Sequence, residues 1–275
     1  MFLYLLFISM TCTMALHLDV EKILLRTKCT IPIVNSTDNV SWDKPFILRN
    51  KNYTNHFIKN EMTIHNLIHK YGDTKVGIDF PGSLASPTDA WRSIKLRDYV
   101  KKYVLHNKTY EEYVKSDQAI LWGPSDSCEY TGGCRKCGKE YCRYIQKFVP
   151  MNVSDTFICY GKENHDNMNY GLAGKYGGLN FHRHIPVYNQ LIYGKKLWYL
   201  IDSEYNVEFN NLTSAETVYN MLIREIYPPH DACIQEAGDF IFLPQDVWHM
   251  TFNFEPVFMA GCIYDPDMEF SVKPT

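Results

Sequence analysis

From residue 156 onward the sequence consists largely of short β-type runs separated by turn residues, and this pattern constrains the fold more than any other feature. Short apolar or alternating runs bounded by Gly, Pro, Asn and Asp are typical of strands. The runs predicted to be strands are 156–161, 170–174, 178–184, 188–193, 197–201, 239–243, 249–254 and 257–263. A helix predicted over 212–226 interrupts them and begins at a capping sequence, Thr213-Ser214-Ala215-Glu216. We therefore expect a mainly β protein with helical additions, built as a closed or two-sheet barrel.

The amino-terminal part is predicted to be a lead of mixed elements that belongs to the same domain. Its predicted elements are short strands at 43–49 and 76–80 and helices at 60–71 and 96–105. The chain has 275 residues, 45% of them hydrophobic, and all-β barrels of this size are routinely single domains. The expected organisation is one domain over 16–275, with the lead at 16–123, a cysteine-rich insertion at 124–143 and the barrel core at 156–265.

Three histidines in the barrel segment form a candidate metal site. His182 and His184 lie two residues apart, and side chains of a strand alternate between its faces, so both imidazoles are expected on one side. A Gly-Asp turn, an apolar strand and a proline precede His249, which places it at a barrel mouth. Neutral imidazoles bind iron, zinc, copper or nickel, so the three do not name the metal. An isolated His-x-His is more often a satisfied core or surface pair, and the later segment is what favours a ligand set.

These segments resemble the jumonji-C (JmjC) branch of the cupin-like double-stranded β-helix proteins. Active JmjC enzymes show His-x-Asp/Glu, then Asn-x4-Gly-x-Lys-x-Trp, then a distal histidine. The corresponding residues of this chain are His182-Arg183-His184, then Asn189, Gly194, Lys196 and Trp198, and then His249. The resemblance runs from about Lys44 to Ile263, and it is specific at 171–201 and 233–250. It implies a double-stranded β-helix fold, a metal held by the three histidines, and 2-oxoglutarate near Lys196 and Asn189.

Within the family the chain is similar to a branch that resides in the endoplasmic-reticulum lumen. That branch also has Phe-His-x-His at the ligand motif, a Gly-x-Ala-Gly lead and a cysteine near the start of the mature chain. The matching residues are Phe181, the run Gly171-Leu172-Ala173-Gly174 and the pair Cys29-Thr30.

The departure from the active pattern is at His184. Active relatives bind Fe(II) with two histidines and one carboxylate and leave positions open for 2-oxoglutarate and O₂. An imidazole in place of the carboxylate removes one negative charge from the ligand set. Metal binding can survive this change, whereas oxygenase activity is expected to be reduced or lost, so no residue is assigned a catalytic role with certainty.

Lys196 is the candidate for binding an acidic co-substrate. In the family the lysine at this position pairs with the distal carboxylate of 2-oxoglutarate, and a compact ammonium suits that role. The alternative is a solvated surface lysine, as expected for its neighbour Lys195. Side chains of a strand alternate between its faces, so Lys196 lies on the same face as Trp198 and Lys195 on the opposite face. Only one of the two lysines can therefore face the interior. Asn189 matches a position near the co-substrate, and an ordinary strand-edge polar residue is an equal alternative.

The first fifteen residues and the glycosylation sequons indicate the secretory pathway. Residues 1–15 are apolar and uncharged and are too short for a membrane span, so we expect a signal peptide cleaved after Ala15. Six Asn-x-Ser/Thr sequons follow, at Asn35, Asn39, Asn52, Asn107, Asn152 and Asn211. The predicted location is the endoplasmic-reticulum lumen or the exterior, with no stable membrane span after cleavage.

The nine cysteines are consistent with an oxidising compartment. Cys12 would leave with the signal peptide, and an even number remains, which indicates disulfides first. Four cysteines form a cluster in the insertion: Cys128, Cys134, Cys137 and Cys142. Two disulfides are favoured over a Cys₄ zinc site or a redox-active Cys134–Cys137 pair. Cys29 and Cys233 are a further candidate pair, although sequence does not determine connectivity.

Two functions from different classes fit these features. The first is a lumenal JmjC-type protein that holds a metal, with Fe(II) expected, and acts as a binding or regulatory module for a protein partner. The second is an Fe(II)/2-oxoglutarate-dependent hydroxylase of secretory-pathway proteins. A nucleic-acid partner is not expected, because 28 basic and 31 acidic residues leave a net charge of −3. Histone demethylation is rejected because the leader and the sequons place the chain on the other side of a membrane and because the sequence shows no reader domain or basic tract.

Overall fold

The computed structural model describes residues 19–36, 40–49, 63–79, 92–122, 168–184, 186–202, 204, 212–224 and 230–263. Its strands are β1 (Ile33–Val34), β2 (Phe46–Leu48), β3 (Lys75–Asp79), β4 (Arg92–Lys95), β5 (Ile120–Trp122), β6 (Met168–Ala173), β7 (Val187–Tyr193), β8 (Lys195–Ile201), β9 (Asp231–Glu236), β10 (Phe240–Leu243), β11 (Trp248–Asn253) and β12 (Val257–Ile263). The α-helices are α1 (Val20–Leu24), α2 (Ile64–Tyr71), α3 (Leu96–Tyr99), α4 (Tyr110–Val114) and α5 (Ser214–Arg224), and a π-helical turn, Val100–Val104, continues α3.

The described strands form two sheets that face each other. The larger sheet has nine strands in the order β1-β2-β10-β7-β12-β6-β5-β3-β4, and the smaller has the order β11-β8-β9. All pairs are antiparallel except β1 with β2. The fold class expected from the strand pattern, mainly β with helical additions in a barrel-like arrangement, is confirmed. Strands of the lead join the same large sheet as those of the barrel core.

Alternation along each strand separates an inner from an outer face. On β8 the even-numbered Lys196, Trp198 and Leu200 point between the sheets, and Leu200 and Trp198 pack there with Ile241 of β10. The odd-numbered residues point outward into a second cluster with Met221 of α5. Helix α5 thus covers the outer face of the small sheet, and residues of α2 and α3 pack against strands of the large sheet.

Helix α5 begins where the capping sequence predicts it. Thr213 Oγ1 accepts a hydrogen bond from the Glu216 backbone N–H (3.2 Å), and the Glu216 carboxylate accepts one from the Thr213 N–H (2.7 Å). This reciprocal pair satisfies two of the N–H groups that a helix start leaves free. The sequence predicted this helix over 212–226, and the structure has it over Ser214–Arg224.

Several expectations about elements differ from the structure. The predicted helix over 96–105 is present, but its second half is π-helical. Strand β9 was not predicted; its run ends directly before the turn that leads to β10. The predicted strand at 156–161 and the insertion at 124–143 lie outside the described residues, as do residues 1–15.

The predicted regular strand over 178–184 is wrong. The Thr251 N–H donates to the carbonyl of Leu179 (2.9 Å), and His182 and His249 exchange two backbone hydrogen bonds (3.1 and 2.9 Å). Between these two contacts the chain advances three residues from 179 to 182 but only two from 249 to 251. The stretch 178–184 therefore contains one extra residue, which defines a β-bulge. The extra residue interrupts the ladder and leaves a single bridge, between His182 and His249. The bulge brings the two histidines directly opposite each other.

Candidate metal centre

The three predicted metal ligands converge between the sheets. Ring centroids lie 4.1 Å apart for His182 and His249, 4.8 Å for His184 and His249, and 5.3 Å for His182 and His184. One ligand atom from each residue lies within 4.8 Å of the other two. Metal–nitrogen bonds of about 2.0–2.1 Å hold two nitrogens of one ion at most about 4.2 Å apart. The ligand atoms, up to 4.8 Å apart, would therefore have to approach by at least about 0.6 Å to bind one ion together.

Backbone carbonyl groups set the tautomer of two of these histidines. The Nδ1 atom of His182 lies 2.6 Å from the carbonyl oxygen of Asn180, and that of His249 lies 2.8 Å from the carbonyl oxygen of Val247. A carbonyl only accepts, so each Nδ1 carries the proton and donates it. In the neutral rings each Nε2 then keeps its lone pair, which is the arrangement that metal-binding histidines use.

The surroundings keep these rings neutral at physiological pH. Burial, together with the nearby His184, lowers the pKa of His182 to about 4. Burial lowers the pKa of His249 well below its usual value, and His182 and His184 add to this effect. Neutral imidazole is the form that donates a lone pair to a metal, so no proton has to be displaced before an ion binds.

Within the described part of the chain, the cluster contains no carboxylate. Its donors are three imidazole nitrogens, a set that suits iron, zinc, copper or nickel better than the oxygen-seeking calcium or magnesium. This donor set and the geometry fit a divalent transition metal. The aromatic ring of Trp198 lies beside the site, with its centroid 6.0 Å from that of His249.

Lys196 occupies the far end of the same inner face. It lies opposite Asn253 of β11 and Gln235 of β9, and only 2% of its surface is exposed. Lys195, by contrast, points outward and lies 3.8 Å from Glu236. Burial lowers the pKa of Lys196 to about 7. Alternation thus separates the two lysines as expected, and the inward one is Lys196.

The ammonium of Lys196 has no carboxylate partner among the described residues. Its hydrogen-bond acceptor is the thioether sulfur of Met259, at 2.7 Å, and its Nζ lies 5.5 Å from the centroid of the Trp198 ring. Asn189 of β7 reaches the same sulfur, with Nδ2 at 2.9 Å. The side-chain oxygen of Asn189 is buried and, in the described structure, has no hydrogen-bond partner. The Lys196 ammonium and the Asn189 side-chain amide therefore lie close together, and both could form further hydrogen bonds to a polar ligand.

A polar network that the sequence reasoning missed supports this end of the site. Gln235 is fully buried, accepts a hydrogen bond from the Trp198 indole (2.8 Å), and donates to the carbonyls of Asn189 (3.0 Å) and Asp239 (2.9 Å). Asp239 in turn forms an ion pair with Arg49 (2.8 Å). Gln235 thus bridges β9 and β7 across the two sheets. Recognition of β9 as a strand would have placed Gln235 on the inner face, two residues after Cys233.

A disulfide joins Cys29 to Cys233. Cys233 lies on β9 opposite Trp198, so the bond attaches the amino-terminal segment beside the site. Next to it the Thr30 N–H donates to the carbonyl of Ala232 (2.9 Å). This pair was one of the candidates from sequence. The clustered Cys128, Cys134, Cys137 and Cys142 lie outside the described residues.

Two of the six sequons fall on described residues, and both asparagines, Asn35 and Asn107, are exposed. The other four lie outside the described part: Asn39, Asn52, Asn152 and Asn211. Among the described residues no helix has the length and apolar character needed to cross a bilayer.

Comparison with known proteins supports the JmjC resemblance. No family model matches the chain. JmjC domain-containing protein 8 from Homo sapiens is 36% identical over 94 residues, which are 31% of this chain and 33% of the human protein. The proteins of the same name from Mus musculus and Rattus norvegicus are 36% identical over 93 residues, again 31% of this chain and 33% of each relative. The chain therefore matches about a third of the length of these relatives.

Proposed function

We propose that this JmjC-like chain is a secretory-pathway protein that holds a divalent metal, Fe(II) in the first place, in a three-histidine site. In this proposal it serves as a binding or regulatory module for a protein partner and has reduced or no oxygenase activity. The observation that carries the proposal is the convergence of His182, His184 and His249 without a carboxylate in the described cluster.

The charge of the ligand set is the reason for reduced activity. Three neutral imidazoles leave the full charge of a divalent ion on the site, whereas a set with one carboxylate would cancel one unit. Fe(II) bound there would supply a position for O₂ and a keto acid. The chain's own residues hold the ion and orient their rings through the Asn180 and Val247 carbonyl groups.

The disulfide and the exposed sequons support the secretory location. Disulfides persist in oxidising compartments and are rare in the cytosol, and Cys29 is bonded to Cys233. Asn35 and Asn107 are exposed and therefore accessible to glycosylation. The partner or substrate is proposed to be a protein of the same compartment.

The alternative is an active Fe(II)/2-oxoglutarate-dependent protein hydroxylase. One observation favours it: the ammonium of Lys196 is buried without a carboxylate partner in the described structure, beside the free oxygen of Asn189. Burial of a charged group without a counter-ion is costly, and a bound keto acid would remove that cost. In this reading the two residues bind 2-oxoglutarate.

Elemental analysis of the protein, purified from a secretory host, tests the metal centre. We expect about one equivalent of a transition metal, and its loss in His182→Ala and His249→Ala variants. The exposed His69 offers a matched control, since His69→Ala removes an imidazole outside the cluster. Metal-free protein that also takes up no Fe(II) or Zn²⁺ when titrated would refute the proposal.

Succinate release from 2-oxoglutarate in the presence of Fe(II) separates the two functions. The binding module predicts turnover no higher than that of a His249→Ala control. Turnover clearly above this control would instead establish the hydroxylase reading.

Treatment of the full chain, expressed in eukaryotic cells and recovered from cells and medium together, with an N-glycosidase tests the location. We expect an increase in gel mobility on treatment, and a smaller increase after Asn107→Gln or Asn35→Gln. Unchanged mobility of all forms would argue against passage through the secretory pathway.

A further inference from the structure

Met259 occupies the end of the inner space where Lys196 and Asn189 meet. It lies on β12, opposite Gly171 of β6 and Leu191 of β7, and 7% of its surface is exposed. Its side chain crosses from the large sheet toward the Lys196 side chain of the small sheet. A residue in this position closes the space between the sheets at the end away from the histidines.

The thioether of Met259 takes up both donors at this point. Its Sδ lies 2.7 Å from Nζ of Lys196 and 2.9 Å from Nδ2 of Asn189. A carboxylate oxygen bound by the same donors would need distances of about 2.7–3.0 Å. The sulfur and a carboxylate oxygen therefore exclude each other at this position.

The missing side chain of Gly171 provides the room for Met259. A Cβ atom at residue 171 would lie 2.4 Å from Cε and 2.9 Å from Cγ of Met259. The methionine side chain thus lies directly across the Gly171 backbone. Glycine on β6 and methionine on β12 together form one close contact that holds the sulfur against the two donors.

A thioether is a weak hydrogen-bond acceptor, whereas a carboxylate accepts strong, charge-assisted bonds. Methionine is also unbranched and flexible. A carboxylate can therefore replace this contact only if the methionine side chain moves away. The apparent affinity for the acid is the intrinsic affinity multiplied by the fraction of protein in which the side chain has moved.

We propose that Met259 is a specificity-determining residue that closes the Lys196–Asn189 end of the pocket to a five-carbon keto dicarboxylate. The inference rests on the assignment of Lys196 and Asn189 as the acid-binding pair, which belongs to the alternative function proposed above. It gives a structural reason, separate from His184, for a metal-holding protein with little 2-oxoglutarate-dependent activity.

Calorimetric titration of 2-oxoglutarate into the full chain, with and without Zn²⁺, tests this role. We expect the Met259→Ala variant to bind at least about tenfold more tightly than the wild type, because truncation removes the sulfur from both donors. Met259→Val also removes the sulfur and places a β-branched residue, a type that strands favour, at this position, and is expected to show a gain in the same direction. A second substitution, Lys196→Met, should abolish the gain in the Met259→Ala protein.

Met221→Ala is the matched control. Met221 is also buried, with 2% of its surface exposed, but it lies on α5, behind the outer face of the small sheet, so the same truncation there should leave the affinity unchanged. Thermal unfolding establishes that each variant is folded. Equal affinity in wild type, Met259→Ala and Met259→Val would overturn the inference, and so would a gain in Met221→Ala. Failure of the wild type to bind Zn²⁺ would refute the metal centre and not this inference. The two are separable because the ratio of 2-oxoglutarate affinities of variant and wild type is also measured without Zn²⁺.

Discussion

At the scale of single residues, the inner faces of the two sheets carry more polar groups than a structural core requires. Lys196, Asn189, Gln235 and Asn253 are all nearly inaccessible, and they lie between strands whose outer faces are apolar. Gln235 makes three hydrogen bonds, whereas the side-chain oxygens of Asn189 and Asn253 have none in the described structure. Buried polar groups without partners cost stability, and their concentration at one point indicates a ligand site.

Replacement of Lys196 by methionine is expected to stabilise the protein at neutral pH. Burial lowers the pKa of Lys196 from 10.5 to about 7. Between pH 7 and pH 10.5 this lysine is therefore protonated in the unfolded chain but deprotonated in the folded protein. The free energy of unfolding of the wild type consequently rises with pH in this window. The burial penalty is complete below pH 7 and absent above about pH 10.5, and it amounts to roughly 4–5 kcal/mol.

Urea unfolding of wild type and Lys196→Met at pH 7 and pH 9.5 measures this effect. We expect the variant to be the more stable protein at pH 7, with a difference that shrinks at pH 9.5. A difference that is independent of pH would show that the lysine is not buried as a charge-destabilised group.

A second residue-scale prediction concerns the bulge that presents His182. The Thr217 hydroxyl of α5 donates to the side-chain oxygen of Asn180 (2.7 Å), and the Asn180 carbonyl accepts from His182 Nδ1. Outer partners of this kind commonly affect metal affinity by about 10–100-fold. Thr217→Val should therefore weaken Zn²⁺ binding by at least about tenfold, as measured by competition with a chromophoric chelator. Unchanged affinity would mean that the bulge holds its shape without α5.

At the scale of elements, the site depends on segments that are not regular strands. The bulged stretch 178–184 extends the small sheet beyond β11, and the segment around Thr30 covers its other edge at β9. Both edges of the three-stranded sheet are thus occupied, which protects them from pairing with another chain. The bulged stretch contains the metal-ligand candidates His182 and His184. The segment around Thr30 is attached to β9 by the Cys29–Cys233 disulfide.

Loss of the disulfide is expected to release the amino-terminal segment. Cys29 and Cys233 are separated by 204 residues, and links that close long loops restrict the unfolded chain most. The double variant Cys29→Ser/Cys233→Ser should lose about 2–5 kcal/mol of unfolding free energy. Ile31 packs beside Trp198, so the variant should also show increased amide hydrogen exchange in β9. Wild-type stability in the double variant would contradict this role.

At the scale of the whole molecule, the proposed metal connects parts of the chain that are far apart in sequence. His182 and His184 belong to the bulged stretch, and His249 belongs to β11, with which that stretch pairs. A ligand that binds only this folded arrangement stabilises it by mass action. The global stability should therefore report occupancy of the centre.

Zn²⁺ at 100 times its dissociation constant is expected to raise the Tm by about 5–10 °C. The His182→Ala variant should show no such rise, and His69→Ala should behave as the wild type. Differential scanning calorimetry with and without chelator measures the shift. An equal shift in His182→Ala would place the stabilising metal elsewhere.

Much of the site follows from local pattern. The alternation that pairs Lys196 with Trp198 requires only a strand, and the structure has both residues on the inner face. The His-x-His spacing, the run that precedes His249 and the JmjC resemblance singled out the three histidines, and the capping sequence located the start of α5. These features depend on neighbours within a few residues, so their information lies in consecutive positions of the chain.

Contacts across the sheets depended on the tertiary structure. Met259 meets Lys196 over a separation of 63 residues, and Gln235 reaches the Asn189 carbonyl over 46. Such contacts follow from strand register and sheet packing, and one inserted residue, as in the bulge before His182, changes which side chains meet. The sequence by itself determined the class of fold and the donor atoms. The folded structure decided that His182 lies opposite His249, that Cys29 pairs with Cys233 and that a thioether lies against Lys196, because each of these is a distance between residues that local periodicity does not relate.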